Sequence, residues 1–330
     1  MNRPLLVVRL GAMGDIIHTQ PAVASLKLSF PERRITWVVA RKWIELLEGN
    51  PYIDRVLPFD RKALESATEA WSELRKLKPE IAIDFQGLIQ SALVGRAARP
   101  DQFVGLDGSI VREKLAAWFY TDKVKARGPH RVERNLQLAQ QAGAKRLTAQ
   151  AWIPRGKPEG QLPAGGFVLA NPFAGWAGKQ WPLGHYEEVA RLLEQAGLSL
   201  VVNVPLGRAE EMRRSARLKV HISGIPGLID ATRRALAVVG VDSGPLHLAA
   251  ALGKPGVAIY GPTDPAQTGP FRSRMTVLRA ENVTTTYRRD AEIHPSMRQI
   301  SADQVADALF SSIANATSES IQPSAVRETL

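Results

Sequence analysis

The 330-residue sequence contains no cysteine. Disulfides, thiolate metal sites and cysteine nucleophiles are thereby excluded, and a reducing compartment is the matching expectation. Long apolar runs are missing as well: none approaches the ~20 residues that a membrane-spanning helix needs. The first apolar run, Leu5 to Leu10, is short and leads into Gly11 and then Asp15, so it does not read as a secretory signal. A cytoplasmic protein, either free or peripheral on the cytosolic face of a membrane, is expected. Three nucleotide signatures are absent: an Asp-x-Asp pair, a Gly-x-x-x-x-Gly-Lys-Ser/Thr loop and a Gly-x-Gly-x-x-Gly turn. A nucleotide bound here would be held by helix termini and a lysine, without a required metal.

What is present is the composition of a soluble globular protein, 45% apolar and 23% charged. The length suits two domains of ordinary size. The formal charge of +11 is uneven. Residues 1–155 hold 25 Lys and Arg against 16 Asp and Glu, while the remainder holds 18 against 16. The first half should therefore attract an acidic partner: nucleic acid, anionic lipid or a phosphorylated substrate. Nucleic-acid binding predicts aromatics interleaved with Arg and Lys, or one basic recognition helix. The basic residues here are spread over many elements instead, so no nucleic-acid partner is expected.

Short β-rich apolar runs alternate with stretches of helical period, which predicts parallel sheets flanked by helices. In the first half the strands fall at 5–10, 35–39, 55–57 and 81–84. The helices fall at 15–29, 42–48, 62–77, 87–98, 110–119 and 130–142. Residues 151–166 are rich in Pro and Gly and read as a linker between domain 1–150 and domain 167–300. The alternation restarts with strands at 167–170, 199–203, 219–222, 236–241 and 256–260. Helices are expected at 184–196, 208–217, 227–235 and 244–252. Residues 266–300 are poorly periodic. An amphipathic helix at 301–315 follows, and 316–330 reads as a flexible tail.

Five strand ends carry polar residues that could do chemistry. Gly11-Ala12-Met13-Gly14-Asp15 joins the first strand to the first helix; Gly14 would allow close approach of a substrate, and Asp15 sits in the first helical turn. Asp15 is open to two readings, a first-turn acid or a functional carboxylate, and His18 reads as a packed histidine. In Val241-Asp242-Ser243-Gly244-Pro245-Leu246-His247, a strand ends and a helix begins. Ser243 suits the N-cap and Pro245 the first turn, and the free amides would form an anion site with His247 one turn in. The loop from Asn171 to Pro182 brings Lys179, which can meet a phosphate as a point charge. Gly261-Pro262-Thr263-Asp264-Pro265 is a tight loop, and Asp84-Phe85-Gln86-Gly87 presents Gln86 at another strand end.

Together these segments resemble the ADP-heptose:lipopolysaccharide heptosyltransferases, glycosyltransferase family 9, and most of all its type I members. The resemblance runs through Met13–Ala22, Ile83–Leu88, His130–Arg134, Lys179–Pro182, Val241–Leu248 and Tyr260–Pro265, in one order and spacing. It implies a GT-B fold, two Rossmann-like domains with a cleft between them, and it allows the final helix to pack back on the first domain. It implies inverting, metal-independent transfer of L-glycero-D-manno-heptose from ADP-heptose to Kdo of the lipopolysaccharide inner core. The Kdo-lipid A type acceptor would be met at the inner membrane. By the same resemblance Asp15 is the general base. Lys179, Asp242, Ser243, Gly244 and His247 hold the donor, and Glu210 or Glu211 takes its ribose. Gly14, Gln86 and Arg61 line the acceptor side. No cofactor or metal is implied. Where the family can carry paired threonines before the lysine, this chain has Ala174-Gly175-Trp176. Two other readings remain: the same fold and donor with another acceptor (heptosyl-Kdo or a protein hydroxyl), and a non-enzymatic protein that binds anionic lipid or nucleic acid.

Overall fold

The computed structural model describes residues 3–60, 64–212 and 218–321. The chain divides into two compact units, Met1–Arg155 and Gly156–Leu330. The boundary falls inside the Pro/Gly-rich segment 151–166.

In the first unit β1 (Leu5–Val8), β2 (Ile35–Val39), β3 (Arg55–Pro58), β4 (Ile81–Asp84), β5 (Gln102–Leu106) and β6 (Asp122–Val124) form one parallel sheet, in the order β3-β2-β1-β4-β5-β6. Helices α1 (Met13–Ser29), α2 (Leu64–Leu77), α3 (Ile89–Ala97) and α4 (Arg131–Gln141) follow β1, β3, β4 and β6. The central strand explains its own sequence. Leu5, Leu6, Val7 and Val8 are all fully buried, as a strand covered on both faces must be, so its residues run apolar without alternation. Leu6 and Val8 join Ala82, Phe103, Val111 and Tyr120 in one core layer.

The second unit repeats the design. Its strands are β7 (Phe167–Asn171), β8 (Ser199–Pro205), β9 (Lys219–Ser223), β10 (Ala237–Val241), β11 (Gly256–Tyr260) and β12 (Met275–Arg279). They are all parallel, in the order β12-β11-β10-β7-β8-β9. Its helices are α5 (Leu183–Gln195), α6 (Ile225–Arg234), α7 (Gly244–Ala251), α8 (Pro265–Thr268), α9 (Pro295–Arg298) and α10 (Ala302–Ile321). Counted within its own unit, this is the strand order of the first. Both are the doubly wound Rossmann order, which reverses direction between β1 and β4 and again between β7 and β10. Ligands of such sheets bind at the carboxyl ends of the strands where the order reverses.

The structure corrects several expectations. The segments expected as helices at 42–48 and 110–119 are the 3-10 turns Arg41–Leu46 and Lys114–Phe119. The helix expected at 208–217 is a 3-10 turn over Leu206–Met212, with 213–217 outside the described residues. Strands β5, β6 and β12 lie outside the expected pattern. The final helix packs on α5, β10, β11 and β12 of its own unit, where the resemblance allows it to lie on the first domain. Its apolar stripe explains this: Ala302, Val305 and Leu309 join the core of Val168, Val202, Val239 and Ile259. The helix also runs on through Ile321, into the segment expected as a flexible tail, and the remainder of that segment lies outside the described residues. Among the described residues no helix is long and apolar enough to cross a membrane.

Candidate active-site residues

The first site forms where β1 and β4 diverge. Leu10 N donates to Gln86 Oε1 at 2.7 Å, so the turn after β1 is braced by the turn after β4. That second turn is itself held by the buried Asp84, whose carboxylate accepts from Gln86 N at 2.8 Å, Ser91 Oγ at 2.8 Å and the Tyr120 hydroxyl at 2.7 Å. Burial raises the Asp84 pKa, against these hydrogen bonds. Gly14 is buried in the first turn of α1, and Gln86 is a brace for the loop that carries Asp15.

Asp15 is the third residue of α1, with Ala12 at the N-cap. Its contact with the N-cap amide is long, 3.4 Å from Ala12 N. Its strong partners are two arginines. Arg9 Nη2 lies 2.5 Å from Asp15 Oδ2, and Arg131 Nη1 pairs with Oδ1. Arg9 is buried, its side chain 8% exposed, and also donates to the Phe85 carbonyl; Arg131 is 42% exposed. Burial pushes the Asp15 carboxyl up, but Arg9, Arg131 and His18 outweigh it and hold the pKa well below the usual carboxylate range. The two arginines therefore favour the carboxylate form of Asp15.

The sequence gives no direct sign of Arg131 as a partner of Asp15. It is delivered by α4, which packs along α1. His130 caps α4 by accepting from Val132 N at 3.1 Å, and Asn135 Nδ2 donates to the His18 carbonyl at 2.9 Å. His18 is buried and packed edge-on against His130, with ring centroids 5.3 Å apart, as expected for a packed histidine. Arg61 lies outside the described residues.

The second site forms where β7 and β10 diverge. Lys179 Nζ donates to Asp242 Oδ2 at 3.0 Å, and His247 Nε2 lies 3.5 Å from Asp242 Oδ1. All three side chains are largely buried. Burial acts to raise the Asp242 pKa, yet His247 and Lys179 hold it well below the carboxylate range. Lys179 Nζ also sits 4.2 Å from the Trp176 ring centroid. Trp176 thus gives the lysine an aromatic face at the point where threonines could have stood.

Ser243 takes the N-cap of α7 as expected, with extended backbone, but its side chain makes no capping bond. Its Oγ is buried without a protein partner, and Gly244 and Pro245 begin the helix. Two more polar side chains end in the same condition, and neither is singled out by the sequence. Asn171 closes β7 beside Gly240, is 2% exposed, and has both amide atoms unpartnered. Thr263, past the end of β11, is 1% exposed with an unpartnered Oγ1. Buried polar groups are normally bonded, so three orphans at neighbouring strand ends mark a place built for a polar ligand. Asp264, by contrast, caps α8 through Ala266 N at 2.9 Å.

Glu210 and Glu211 lie on the exposed 3-10 turn that follows β8. Glu211 is bound to Arg208, at 2.5 Å to each of two guanidinium nitrogens, and Arg208 lies 4.0 Å from the centre of the Phe173 ring.

The chain is similar to known proteins over most of its length. Residues 68–295 match the model of glycosyltransferase family 9 (heptosyltransferase). The lipopolysaccharide heptosyltransferase 1 of Escherichia coli K12 is 32% identical over 300 residues, 84% of this chain and 93% of that protein. The lipopolysaccharide heptosyltransferase 1 of Pseudomonas aeruginosa is 31% identical, covering 81% of each chain. Among solved structures, E. coli heptosyltransferase WaaC with ADP superposes with a TM-score of 0.74 at 25% identity, covering 92% of this chain and 98% of that one.

Proposed function

Since this chain belongs to glycosyltransferase family 9, the heptosyltransferases, we propose that it moves L-glycero-D-manno-heptose from ADP-heptose to a Kdo hydroxyl of the lipopolysaccharide inner core. Transfer is inverting and independent of metal, and it takes place at the cytosolic face of the inner membrane. The chain has the GT-B fold of two successive Rossmann units. The observation that carries the assignment of roles is the contrast between the two switch points. One bears an ionised carboxylate, and the other bears a buried Lys–Asp–His group at a helix N-terminus.

Asp15 accepts the proton of the acceptor hydroxyl while that oxygen bonds to the anomeric carbon of the heptose. The bond from that carbon to the β-phosphate oxygen breaks, and its electron pair leaves with ADP. A single displacement inverts the centre. An aspartate is a weak base, but the donor carbon is cation-like in such a transition state and the attacking hydroxyl becomes acidic as it bonds. Arg9 keeps Asp15 ionised from the buried side. Arg131, the more exposed of the pair, is the arginine we assign to the carboxylate of the acceptor sugar.

The departing diphosphate is met by Lys179, by the Ser243 hydroxyl and by the free amides that open α7, where the helix dipole favours an anion. Asp242 orients Lys179 and His247. These groups supply the positive potential that a metal provides elsewhere. Glu210 or Glu211, on the turn that follows β8, takes the ribose. Gly14, Gln86 and Arg61 belong to the acceptor side.

The test is release of ADP from ADP-heptose by the purified protein, with Kdo2-lipid A or with an acceptor already carrying the first heptose. Turnover is expected with Kdo2-lipid A alone. Turnover only with the heptosylated acceptor reassigns the acceptor, and release with neither overturns the reading.

A further inference from the structure

Between β12, which ends at Arg279, and α9, which begins at Pro295, the chain runs without helix or strand. Its course is nevertheless fixed, because it is tied at both ends to the second site. At the start Arg279 Nε donates to the Gly261 carbonyl at 3.1 Å and Arg279 Nη2 to Thr285 Oγ1 at 2.9 Å. Thr286 N donates to the Pro262 carbonyl at 2.8 Å. Both carbonyls belong to the loop after β11 that carries the unpartnered Thr263 hydroxyl. At the end His294 N donates to the Gly178 carbonyl at 3.3 Å, next to Lys179. Ser296, Met297 and Ile300, just beyond, are buried. Residues 285–294 therefore form a strap from the loop after β11 to the loop after β7.

Between its two ties the strap is mostly exposed, and it carries Arg288 and Arg289. Arg288 is paired with Asp290 at 3.3 Å and points into solvent, its side chain 85% exposed. Arg289 makes no hydrogen bond or ion pair among the described residues. Its guanidinium carbon instead lies 6.0 Å from the centre of the Trp176 ring, the same ring that Lys179 Nζ approaches to 4.2 Å. Gly178 makes room for that indole: a methyl group there would meet it at 3.2 Å. A separation of 6.0 Å is at the outer limit of a cation–π contact. The ring thus keeps the guanidinium near the lysine without fixing it.

Two cations against one ring repel each other, and only one of them is answered. Lys179 is bonded to Asp242 at 3.0 Å, so much of its charge is cancelled before any ligand arrives. The second unit as a whole adds little, with 18 Lys and Arg against 16 Asp and Glu. A diphosphate placed at the start of α7 needs a further full charge, most of all as its bond to the sugar breaks and negative charge builds on it. A guanidinium is planar, always charged and able to bond two phosphate oxygens at once. We propose that Arg289 is a phosphate-binding residue of this site: it leaves the Trp176 ring for the diphosphate of the nucleotide sugar and supplies there the charge that Asp242 takes from Lys179. The identity of that ligand rests on the transferase reading, whereas the demand for an anion rests on the strap and the lysine.

The experiment is calorimetry of ADP and of inorganic pyrophosphate on the full chain, on Arg289→Gln and on Arg288→Gln. Both variants lose one exposed charge from the same strap, and both should melt at the temperature of the parent. Arg289→Gln is expected to bind ADP and pyrophosphate about tenfold more weakly, the loss of one charge-assisted hydrogen bond. Arg288→Gln should bind both like the parent. Arg289→Lys, which keeps the charge without the fork, should recover part of the loss. Arg289→Gln with the parent's affinity for both anions overturns the proposal. Equal losses in the two glutamine variants overturn it too, since the effect would then be one of diffuse charge. A parent protein that binds neither anion overturns the proposal together with the donor reading. Anion binding that is weakened as expected, with no transfer of heptose to any acceptor by the parent, leaves Arg289 in its place and removes the transferase reading instead.

Discussion

Replacing Asp15 by asparagine separates the catalytic role of this residue from its structural one, because the two have different magnitudes. The structural cost comes from Arg9. Its guanidinium is buried, and Asp15 is one of its two partners, the other being the Phe85 carbonyl. Removing one member of a buried pair typically costs about 3–5 kcal/mol. The substituted amide would still offer an oxygen to one arginine, and Arg131 is half-exposed, so about 3 kcal/mol is the expectation. For a unit of this size, that lowers the melting temperature by roughly 6–12 °C. The catalytic cost is that of losing a general base, about 10²- to 10⁴-fold. Turnover is followed by ADP release at a temperature well below the melting point of the variant, with donor binding measured by calorimetry on the same sample. The expected result is retained donor affinity, a lowered melting temperature and turnover reduced at least a hundredfold. Asp15→Asn turning over within tenfold of the parent would falsify the base role, whatever happens to stability.

Arg131→Gln removes one of the two arginines that hold the Asp15 pKa down. The Asp15 titration midpoint, read by carboxyl carbon NMR, should move upward; an unmoved midpoint removes Arg131 from the site. Lys179→Ala should weaken ADP-heptose binding by at least tenfold and turnover less, since the lysine meets the diphosphate before as well as during transfer. Unchanged donor affinity contradicts that placement. The acid limb of stability follows from linkage. Asp15 and Asp242 have native pKa values below the ordinary 3.8, so their contribution is complete above that value and is lost as pH falls through the native ones. Asp84, with its native pKa raised, acts in the opposite sense. The urea midpoint should fall below pH 4, and more shallowly in Asp242→Asn, by at most about 1.4 kcal/mol per pH unit for the one lost site. An identical slope in parent and variant contradicts the pairing.

Much of the fold is legible in the sequence where one strand or helix announces itself. The buried strands β1, β4, β7, β10 and β11 are continuous apolar runs next to glycine turns, and periodicity finds them. The strands it misses are β5 (Gln-Phe-Val-Gly-Leu), the three-residue β6 and the edge strand β12. These are short and only partly apolar, and two of them have a neighbour on one side only. The site divides in the same way. Asp15 and Asp242 are visible because a strand end and a helix start bracket them. Lys179 stands out by its loop and proves to be bonded to Asp242. Arg131 is 116 residues from Asp15, and only the packing of α4 on α1 joins them, which no local pattern encodes. The segment His130–Arg134 does stand out, but as a motif without a role. Asn171 and Thr263 could be suspected on one ground: each is a polar residue closing or just following a buried apolar strand, inside a segment already marked by its neighbours.

The contrast between capping and chemistry at Asp15 can be argued from the structure itself. A carboxylate in the first turn of a helix needs only free amides to justify it, and the amide available, Ala12 N, lies at 3.4 Å. A cap would be satisfied by a shorter bond and would need no arginine. Here the chain instead places two guanidinium groups on one carboxylate, one of them buried with its Nε unpartnered. Desolvating those charges is costly unless the anion is kept. The arrangement carries a net positive charge, so it remains attractive to a second anion after Asp15 has been neutralised. A capping aspartate gains nothing from that surplus. A base that must receive an acidic sugar does, and the excess of nine Lys and Arg in the same unit extends the same preference to its surroundings.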